Sequence, residues 1–406
     1  MPRTAVVLGL RPAGLALVRA LAREGVPVGG IGFDGADVGF ASRYLTWRWQ
    51  VADADESRAD ERVLDALAGL ARQGRLVLFP ELDLPVEIVL RRWNEIRAVA
   101  DVPLPDDPDI VRRLAAKDTL LAVAAEAGVP TPRTVVPRDE EDVRDADLPL
   151  PFLVKPVASE AYARRFAHKL VRAGSPEEAV AAWRRASEAG FATVLQEEVP
   201  AHDRVFSLFT YVGRAGAVLA SVVGRKVRQI PRRYGAATVF RIELEPRVLE
   251  LGHRLLSSAG YRGFAQVELA HDVRTDSFLL LEVNTRPPIW CGIAMTREWN
   301  MARVAYADLA GGRPRELGVL EGDATWIYGL KDAWISAQMA LRGETTPGGV
   351  VAPYRAGRKM GALFARDDPR PALAVVGWAA GVGARRLAGR VIGGLRRSGR
   401  YPRPGP

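Results

Sequence analysis

A single cysteine, Cys291, stands in 406 residues. One cysteine excludes an intramolecular disulfide and any multi-cysteine zinc site. Four histidines leave little material for a histidine-rich metal cluster. Lysine is nearly as scarce: Lys117, Lys155, Lys169, Lys226, Lys331 and Lys359 are the only six among 57 basic residues. No stretch supplies the ~18 uncharged apolar residues of a membrane-spanning helix. The apolar opening from Thr4 to Leu10 stops at Arg11 and reads as a buried first strand, not as a signal peptide. The late apolar run 371–384 is too short to span. These absences fit a reducing, cytoplasmic setting.

What is present is globular. The chain is 48% apolar and 26% charged, which excludes wholesale disorder. At roughly 100–200 residues per domain, the length implies two or three domains. The net charge of +9 invites a nucleic-acid reading, but its location argues otherwise. From Arg355 onward twelve Lys/Arg meet two Asp/Glu, which is +10 and leaves −1 for the first 354 residues. A neutral body with a basic tail is not the basic face of a duplex binder, so nucleic acid is not an expected partner. Arginine counts alone carry little, because an Arg- and Ala-heavy bias also follows from coding-DNA composition.

Strand and helix patterns alternate at the start: strand 5–9, helix 12–24, strand 28–33, helix 63–71, strand 76–79 and helix 86–93. Such βα units predict a parallel, doubly wound sheet that ends at the proline-rich break 105–108. A second region, 109–195, opens with one helix over 110–127. An acidic loop 140–147, a strand 152–157, a helix 177–189 capped by Ser175, and a strand 193–197 follow. A third region, 196–320, is richer in strands: 205–212, 217–223, 239–244, 264–270 and 278–283, with helices at 247–259 and 304–311. Residues 321–406 read as a basic extension, and from about Thr345 the Gly-, Pro- and Arg-rich chain reads as an appendage.

Four motifs carry chemistry. Gly9-Leu-Arg-Pro-Ala-Gly14 with Asp34 mimics a dinucleotide fingerprint. Its spacing is not G-x-G-x-x-G, however, and Arg11 and Pro12 fill the interior where a pyrophosphate needs close backbone approach. The loop either holds a carboxylate or phosphate on helix-terminal N–H groups or is a structural tight turn. Second, Glu268 lies on one predicted strand, and Glu282 and Asn284 share one face of the next. Glu268 and Glu282 are equidistant from a turn centred near Thr275, so a hairpin sets them face to face. Facing carboxylates repel unless a cation lies between them, and two carboxylates with an amide oxygen suit Mg²⁺. The alternative is an exposed acidic face. Third, Lys155 ends an apolar strand, where an amine is costly unless it meets an anion or snorkels to the surface. Fourth, Leu195-Gln196-Glu197-Glu198-Val199 runs into a loop with Asp203. The pattern suits an adenine amino group and a ribose diol, or is a solvated acidic turn.

Read in order, these pieces resemble the ATP-grasp superfamily, and within it the carboxylate–amine ligases of the D-aspartate ligase and peptide ligase type. Leu114-Ala-Ala-Lys117-Asp with Ala127-Gly-Val-Pro-Thr-Pro132 is similar to the entry of the family's ATP-binding region. Phe152-Leu-Val-Lys155-Pro is similar to its second ATP lysine, and Gln196-Glu197-Glu198-Val199 to its adenine-holding hinge. Gly224-Arg-Lys226-Val-Arg228-Gln resembles a basic segment near the phosphates. Val267-Glu268-Leu and Leu281-Glu282-Val-Asn284-Thr-Arg286 resemble its metal-binding strands. The likeness spans about residues 1–315.

It implies an α/β fold: an N-terminal parallel, Rossmann-like pre-ATP-grasp domain over 1–108, then two α+β lobes clasping ATP. It implies that Lys117 and Lys155 hold phosphates and that Gln196, Glu197, Val199 and Asp203 hold adenine and ribose. Glu268, Glu282 and Asn284 would hold Mg²⁺ or Mn²⁺, and Arg286 with Lys226 would stabilise the transferring phosphoryl group. The implied reaction joins a small carboxylate to an amine, such as amino acids or peptides, through an acyl phosphate with release of ADP. Two other readings stay open: a catalytically silent nucleotide-binding scaffold, and an NAD(P)-dependent oxidoreductase, which Arg11 and Pro12 argue against. Two departures stand out. Residues 157–173 lack the glycines that cover the triphosphate and carry Arg164, Arg165, His168 and Lys169 instead. Pro287-Pro288-Ile-Trp290 departs from the usual run after the arginine.

The tail adds one expectation. In 384–397, Leu387, Val391, Ile392 and Leu395 fall on one side of a helical wheel and five arginines on the rest. That pattern fits either peripheral contact with an anionic membrane, a helix docked on the protein itself, or a frayed basic terminus.

Overall fold

The computed structural model describes residues 2–51, 58–201, 204–355 and 357–377. The strands β1 (Ala5–Leu8), β2 (Val28–Gly32), β3 (Trp47–Gln50), β4 (Leu76–Pro80) and β5 (Ala100–Asp101) form one parallel sheet in the order β3-β2-β1-β4-β5. Alternation along a strand divides its side chains between two faces. Val6 and Leu8 enter one core, and Ala5 and Val7 enter the other. Helix α1 (Pro12–Ala22) covers the second face, and α2 (Ala59–Ala71), α3 (Asp83–Arg91) and α4 (Trp93–Val99) contribute to the first. The parallel sheet expected from the alternating pattern is present. Because β2 and β3 lie on one side of β1 and β4 and β5 on the other, the winding reverses between β1 and β4. Loops from both strand ends meet there, which is where open α/β sheets bind ligands.

The helix expected over 110–127 is two helices, α5 (Pro108–Ala115) and α6 (Lys117–Glu126). Ala116 between them is extended, and the Thr119 hydroxyl donates to the carbonyls of Arg113 and Ala116 at the break. The bend lets Val111, Leu114, Leu120 and Val123 all enter the same core, and it starts α6 at Lys117.

Strands β6 (Thr134–Val135), β7 (Phe152–Pro156), β8 (Val171–Ala173) and β9 (Thr193–Glu197) make a small antiparallel sheet in the order β6-β9-β7-β8. Its helices are α7 (Glu140–Arg144), α8 (Ser159–Phe166) and α9 (Pro176–Glu188). The acidic loop expected at 140–147 is instead the short helix α7. The Asp139 carboxylate caps it at the Asp142 N–H, and Val143 is buried beneath it. Ser175 caps α9, as its position before Pro176 predicts. This lobe has its own core, built on Val143, Phe152, Val154, Ala179 and Leu195.

The third sheet carries β10 (Val205–Val212), β11 (Val218–Ile230), β12 (Ala236–Ile242), β13 (Gly263–Asp272), β14 (Ser277–Asn284), β15 (Gly318–Leu320), β16 (Ala324–Ile327) and β17 (Arg358–Gly361). Its order is β14-β13-β10-β11-β12-β16-β17, with β15 beside β11. Helices α10 (Pro246–Ser258), α11 (Met301–Leu309), α12 (Gly329–Leu341) and α13 (Pro347–Val351) belong to the same region of the chain. The appendage expected from about Thr345 is corrected here. Strand β17 extends the large sheet, and Asp368 is fully buried against α1. There it accepts from Arg19 Nε at 2.9 Å, Ser42 Oγ at 2.7 Å and the Arg43 N–H at 3.0 Å. The amphipathic pattern at 384–397 lies outside the described residues. Among the described residues, no helix is long and apolar enough to cross a membrane.

Candidate active site

The hairpin of β13 and β14 sets Glu268 opposite Glu282 and Gln266 opposite Asn284, the register predicted by their equal distance from the turn. Towards the turn the pairing slips by one residue, Leu269 opposing Leu280, so Leu281 is an extra residue in β14. That bulge reverses the alternation. Phe278 and Leu280 point into the core before it and Val283 does so after it, which turns Glu282 and Asn284 together to the other face. The two carboxylates therefore share one pocket, not an exposed acidic surface; Glu268 is 6% exposed.

Three lysines from three elements meet these acids. Lys226 of β11 donates to Glu268 Oε2 at 2.7 Å. Lys155 of β7 donates to Gln196 Oε1 at 2.8 Å, and Gln196 Nε2 donates to Thr134 Oγ1 at 3.1 Å. Lys117, first residue of α6, donates to Ser159 Oγ at 2.7 Å. Burial and then the neighbouring Lys117 charge lower Lys155 to about 8, against the pull of Glu282 and Glu268. Burial pushes Glu282 upward, yet Lys117, Lys226 and Lys155 outweigh it and hold the carboxyl below its usual range. Glu268 moves the other way, raised chiefly by burial and by Glu282 despite Lys226. Two facing carboxylates ask for a cation, and two neighbouring lysines ask for an anion. The donor set of Glu268, Glu282 and the Asn284 amide oxygen is hard oxygen throughout and fits Mg²⁺ or Mn²⁺. Among the described residues no group of three or more His, Cys, Asp or Glu gathers into another candidate metal site.

Arg286 follows on the same line of side chains. It donates through Nη2 to Asn284 Oδ1 at 3.3 Å and to Asp83 Oδ2 at 3.0 Å, and through Nε to Asp83 Oδ1. Burial opposes its charge, but Asp83, then Glu81 and Glu282, hold its pKa above the usual value. Of the residues expected at the nucleotide, Gln196 is buried on β9 and faces Lys155. Glu197 ends β9 and accepts from Arg274 Nη2 at 2.7 Å, and Val199 lies half-buried just beyond. Asp203 lies outside the described residues. Residues 159–166, within the segment lacking glycines, form helix α8. Trp290, after the two prolines, stacks on Phe240 in the core at 3.6 Å between ring centroids.

Two acids of the site come from the N-terminal sheet. Glu81 directly follows β4, and Asp83 begins α3. Glu81 Oε1 accepts from the Arg11 N–H at 2.7 Å, and Asp37 Oδ1 accepts from the Leu10 N–H at 2.9 Å. A Cβ on Gly9 would lie 2.8 Å from Glu81 Cγ, and one on Gly14 would lie 2.2 Å from the Gly9 carbonyl oxygen. The loop that mimics a dinucleotide fingerprint therefore holds the protein's own carboxylates, and its glycines make the room. Sequence alone offered one signal for Glu81: an acid at the carboxyl end of a parallel strand.

By sequence, no protein family and no curated protein matches the chain. Solved structures do match in fold. A biotin carboxylase from Campylobacter jejuni, solved as a β,γ-ATP complex, aligns over 76% of this chain and 71% of its own at TM-score 0.61 and 13% identity. The biotin carboxylase domain of 2-oxoglutarate carboxylase from Hydrogenobacter thermophilus, solved with MgADP, ADP and bicarbonate, gives 0.63 and 15% over 78% and 71%. An N5-carboxyaminoimidazole synthetase from Staphylococcus aureus gives 0.60 and 12% over 79% and 80%. The fold match with these enzymes, over a parallel α/β domain leading into a small antiparallel and a large mixed sheet, gives this chain the ATP-grasp fold.

Proposed function

We propose that the protein is an ATP-dependent ligase that joins a small carboxylate to an amine through an acyl phosphate, releasing ADP and phosphate. One observation carries the reading: buried Glu268 and half-buried Glu282 face each other across the hairpin, with Lys226 bonded to Glu268 and the charges of Lys117 and Lys155 acting on Glu282. Phosphoryl transfer needs positioning and charge neutralisation more than a protein nucleophile. Lys117 and Lys155 bind the nucleotide phosphates. The strand end at Gln196, Glu197 and Val199 receives the adenine, with Asp203 at the ribose. Glu268, Glu282 and Asn284 hold Mg²⁺ or Mn²⁺, which neutralises phosphate charge when bound. Lys226, beside Glu268, and Arg286, aimed by Asp83, would stabilise the transferring phosphoryl group.

The nucleotides with which the biotin carboxylases were solved support ATP as the cosubstrate. An oxidoreductase lacks support, since the loop at Gly9 is filled by Glu81. A silent scaffold would have no use for the buried facing acids. The substrates are small molecules, amino acids or peptides by the resemblance, and the setting is cytoplasmic. The arginine-flanked pattern at 384–397 supports peripheral contact with an anionic membrane.

The test is acid-dependent ADP release over a panel of amino acids, peptides and small acids, with Mg²⁺ and with hydroxylamine as the trap. The reading expects ADP and a hydroxamate from at least one acid, and Glu282→Gln abolishes both while the fold survives. AMP with pyrophosphate as products, or full activity in Glu282→Gln, contradicts it.

A further inference from the structure

Glu81 directly follows β4. It stands at the reversal between β1 and β4, in the crevice where an open parallel sheet receives its ligand. Its carboxyl is held on one side only. Oε1 accepts the Arg11 N–H, and no described residue donates to Oε2. The residue is 2% exposed. Gly9 and Gly14, which leave no space for a Cβ, press the side chain into this position.

The surroundings relate it to the phosphoryl site. Arg286 lies within electrostatic reach of both Glu81 and Glu282. Glu81 and Glu282 thus address the same guanidinium, Glu81 from the N-terminal sheet and Glu282 from the metal strand. The charged groups that act on Glu81 are Asp37, Arg286 and Arg11. An acyl phosphate held by Arg286 has one flank against the metal strand and the other against the Glu81 crevice.

We propose that Glu81 receives the incoming amine as its ammonium ion and serves as the general base of the second half-reaction, an assignment that rests on the ligase reading above. The ammonium gives one proton to Glu81 Oε2. The freed lone pair forms the C–N bond, and the C–O bond to phosphate breaks. Phosphate leaves with the electron pair of that bond and takes the second nitrogen proton. Glu81 then returns its proton to solvent. The acceptor class is therefore a primary amine that is protonated at neutral pH. Burial raises the Glu81 carboxyl to about 7, against the Arg11 N–H and the charge of Arg286, which suits a base working near neutrality.

Ammonium and hydroxylamine make a matched pair of probes: nearly the same size, the first protonated at neutral pH and the second not. The full chain is given MgATP, a pool of amino acids, dipeptides and small dicarboxylic acids, and one of the two acceptors. Amide and hydroxamate products are measured by mass. Glu81→Gln keeps an oxygen for the Arg11 N–H and so keeps the loop. It is expected to lose amide formation by a hundredfold or more, about the size of a general-base contribution. Hydroxamate formation is expected to stay near wild type, and amide formation to recover as pH rises and free ammonia replaces ammonium. Equal loss of both products would mark Glu81 as structural, and an unchanged ratio with full activity would remove it from the reaction; either overturns the assignment. No hydroxamate from the wild type would sink the ligase reading itself, and this assignment with it.

Discussion

Lys155 carries a charge that its surroundings oppose. Burial and Lys117 bring it to about 8, so in the free protein it is protonated below that value and increasingly neutral above it. A nucleotide phosphate binds the charged form. ATP affinity, followed by calorimetry, should therefore fall as pH rises through about 8, where an ordinary lysine would show no change. Each charge-assisted contact to phosphate is worth about 1.5–3 kcal/mol, or roughly ten- to a hundredfold. Alanine at both Lys117 and Lys155 should weaken ATP binding at least tenfold and flatten that pH dependence. Unchanged affinity in the double variant would remove both lysines from the nucleotide site. At this scale, legibility followed sequence distance. Glu268 and Glu282 flank one turn, so their meeting followed from counting. Glu81 and Asp83 meet Arg286 across half of the chain, and nothing near them in sequence marks the encounter. Gly9 and Gly14 were visible as a motif, but their purpose depends on a carboxylate three strands further along the chain and on the pairing of β1 with β4 that brings it back.

The elements that departed from the pattern did so where tertiary contacts decide. An unbroken helix over 110–127 would keep the local propensity, yet the extended Ala116 lets both halves bury their apolar faces and places Lys117 at a helix start. The bulge at Leu281 has no sequence mark, since Leu279, Leu280 and Leu281 look alike until one is left unpaired. The segment beyond Thr345 looked dispensable because glycine, proline and arginine are its common residues. Beside the pairing of β17, it is anchored by a buried acid, Asp368. Arg19 donates to Asp368 through Nε and, through Nη2, to the Leu363 carbonyl at 2.8 Å and the Asp368 carbonyl at 2.7 Å. Arg23 and Tyr44 donate to Asp367 beside it. Asp368→Ala leaves the Arg19 charge buried without its partner, which costs about 3–5 kcal/mol. The denaturant midpoint should drop accordingly with an unchanged slope. A chain ended before Asp367 should lose stability likewise. Wild-type stability in Asp368→Ala would show that this segment is not held as described.

Across the whole molecule, the cores on the two faces of the parallel sheet are continuous with those of the large mixed sheet. Val6 and Leu8 share a core with Val267 and Val283, and Val7 and Leu15 share one with Phe240 and Trp290. The crevice acids Glu81 and Asp83 are thereby fixed relative to Glu282 and Arg286. The small lobe, with its separate core, brings Lys155 and Gln196 to that fixed frame. This order of parts was legible in sequence because alternating βα units, two lysines in register and a Glu…Glu-x-Asn-x-Arg hairpin each occupy a local stretch. The partition of the large sheet was not, since β16 and β17 join it from beyond the region that carries the motifs. The account's central claim is that a substrate carboxylate takes the terminal phosphoryl group of ATP before an amine displaces it. The most direct measurement labels the carboxylate oxygens of a turned-over acid with a heavy isotope and follows the label by phosphorus NMR. The account predicts ADP as the nucleotide product and one labelled oxygen in the released inorganic phosphate. Label in AMP, or phosphate released with none, would contradict it.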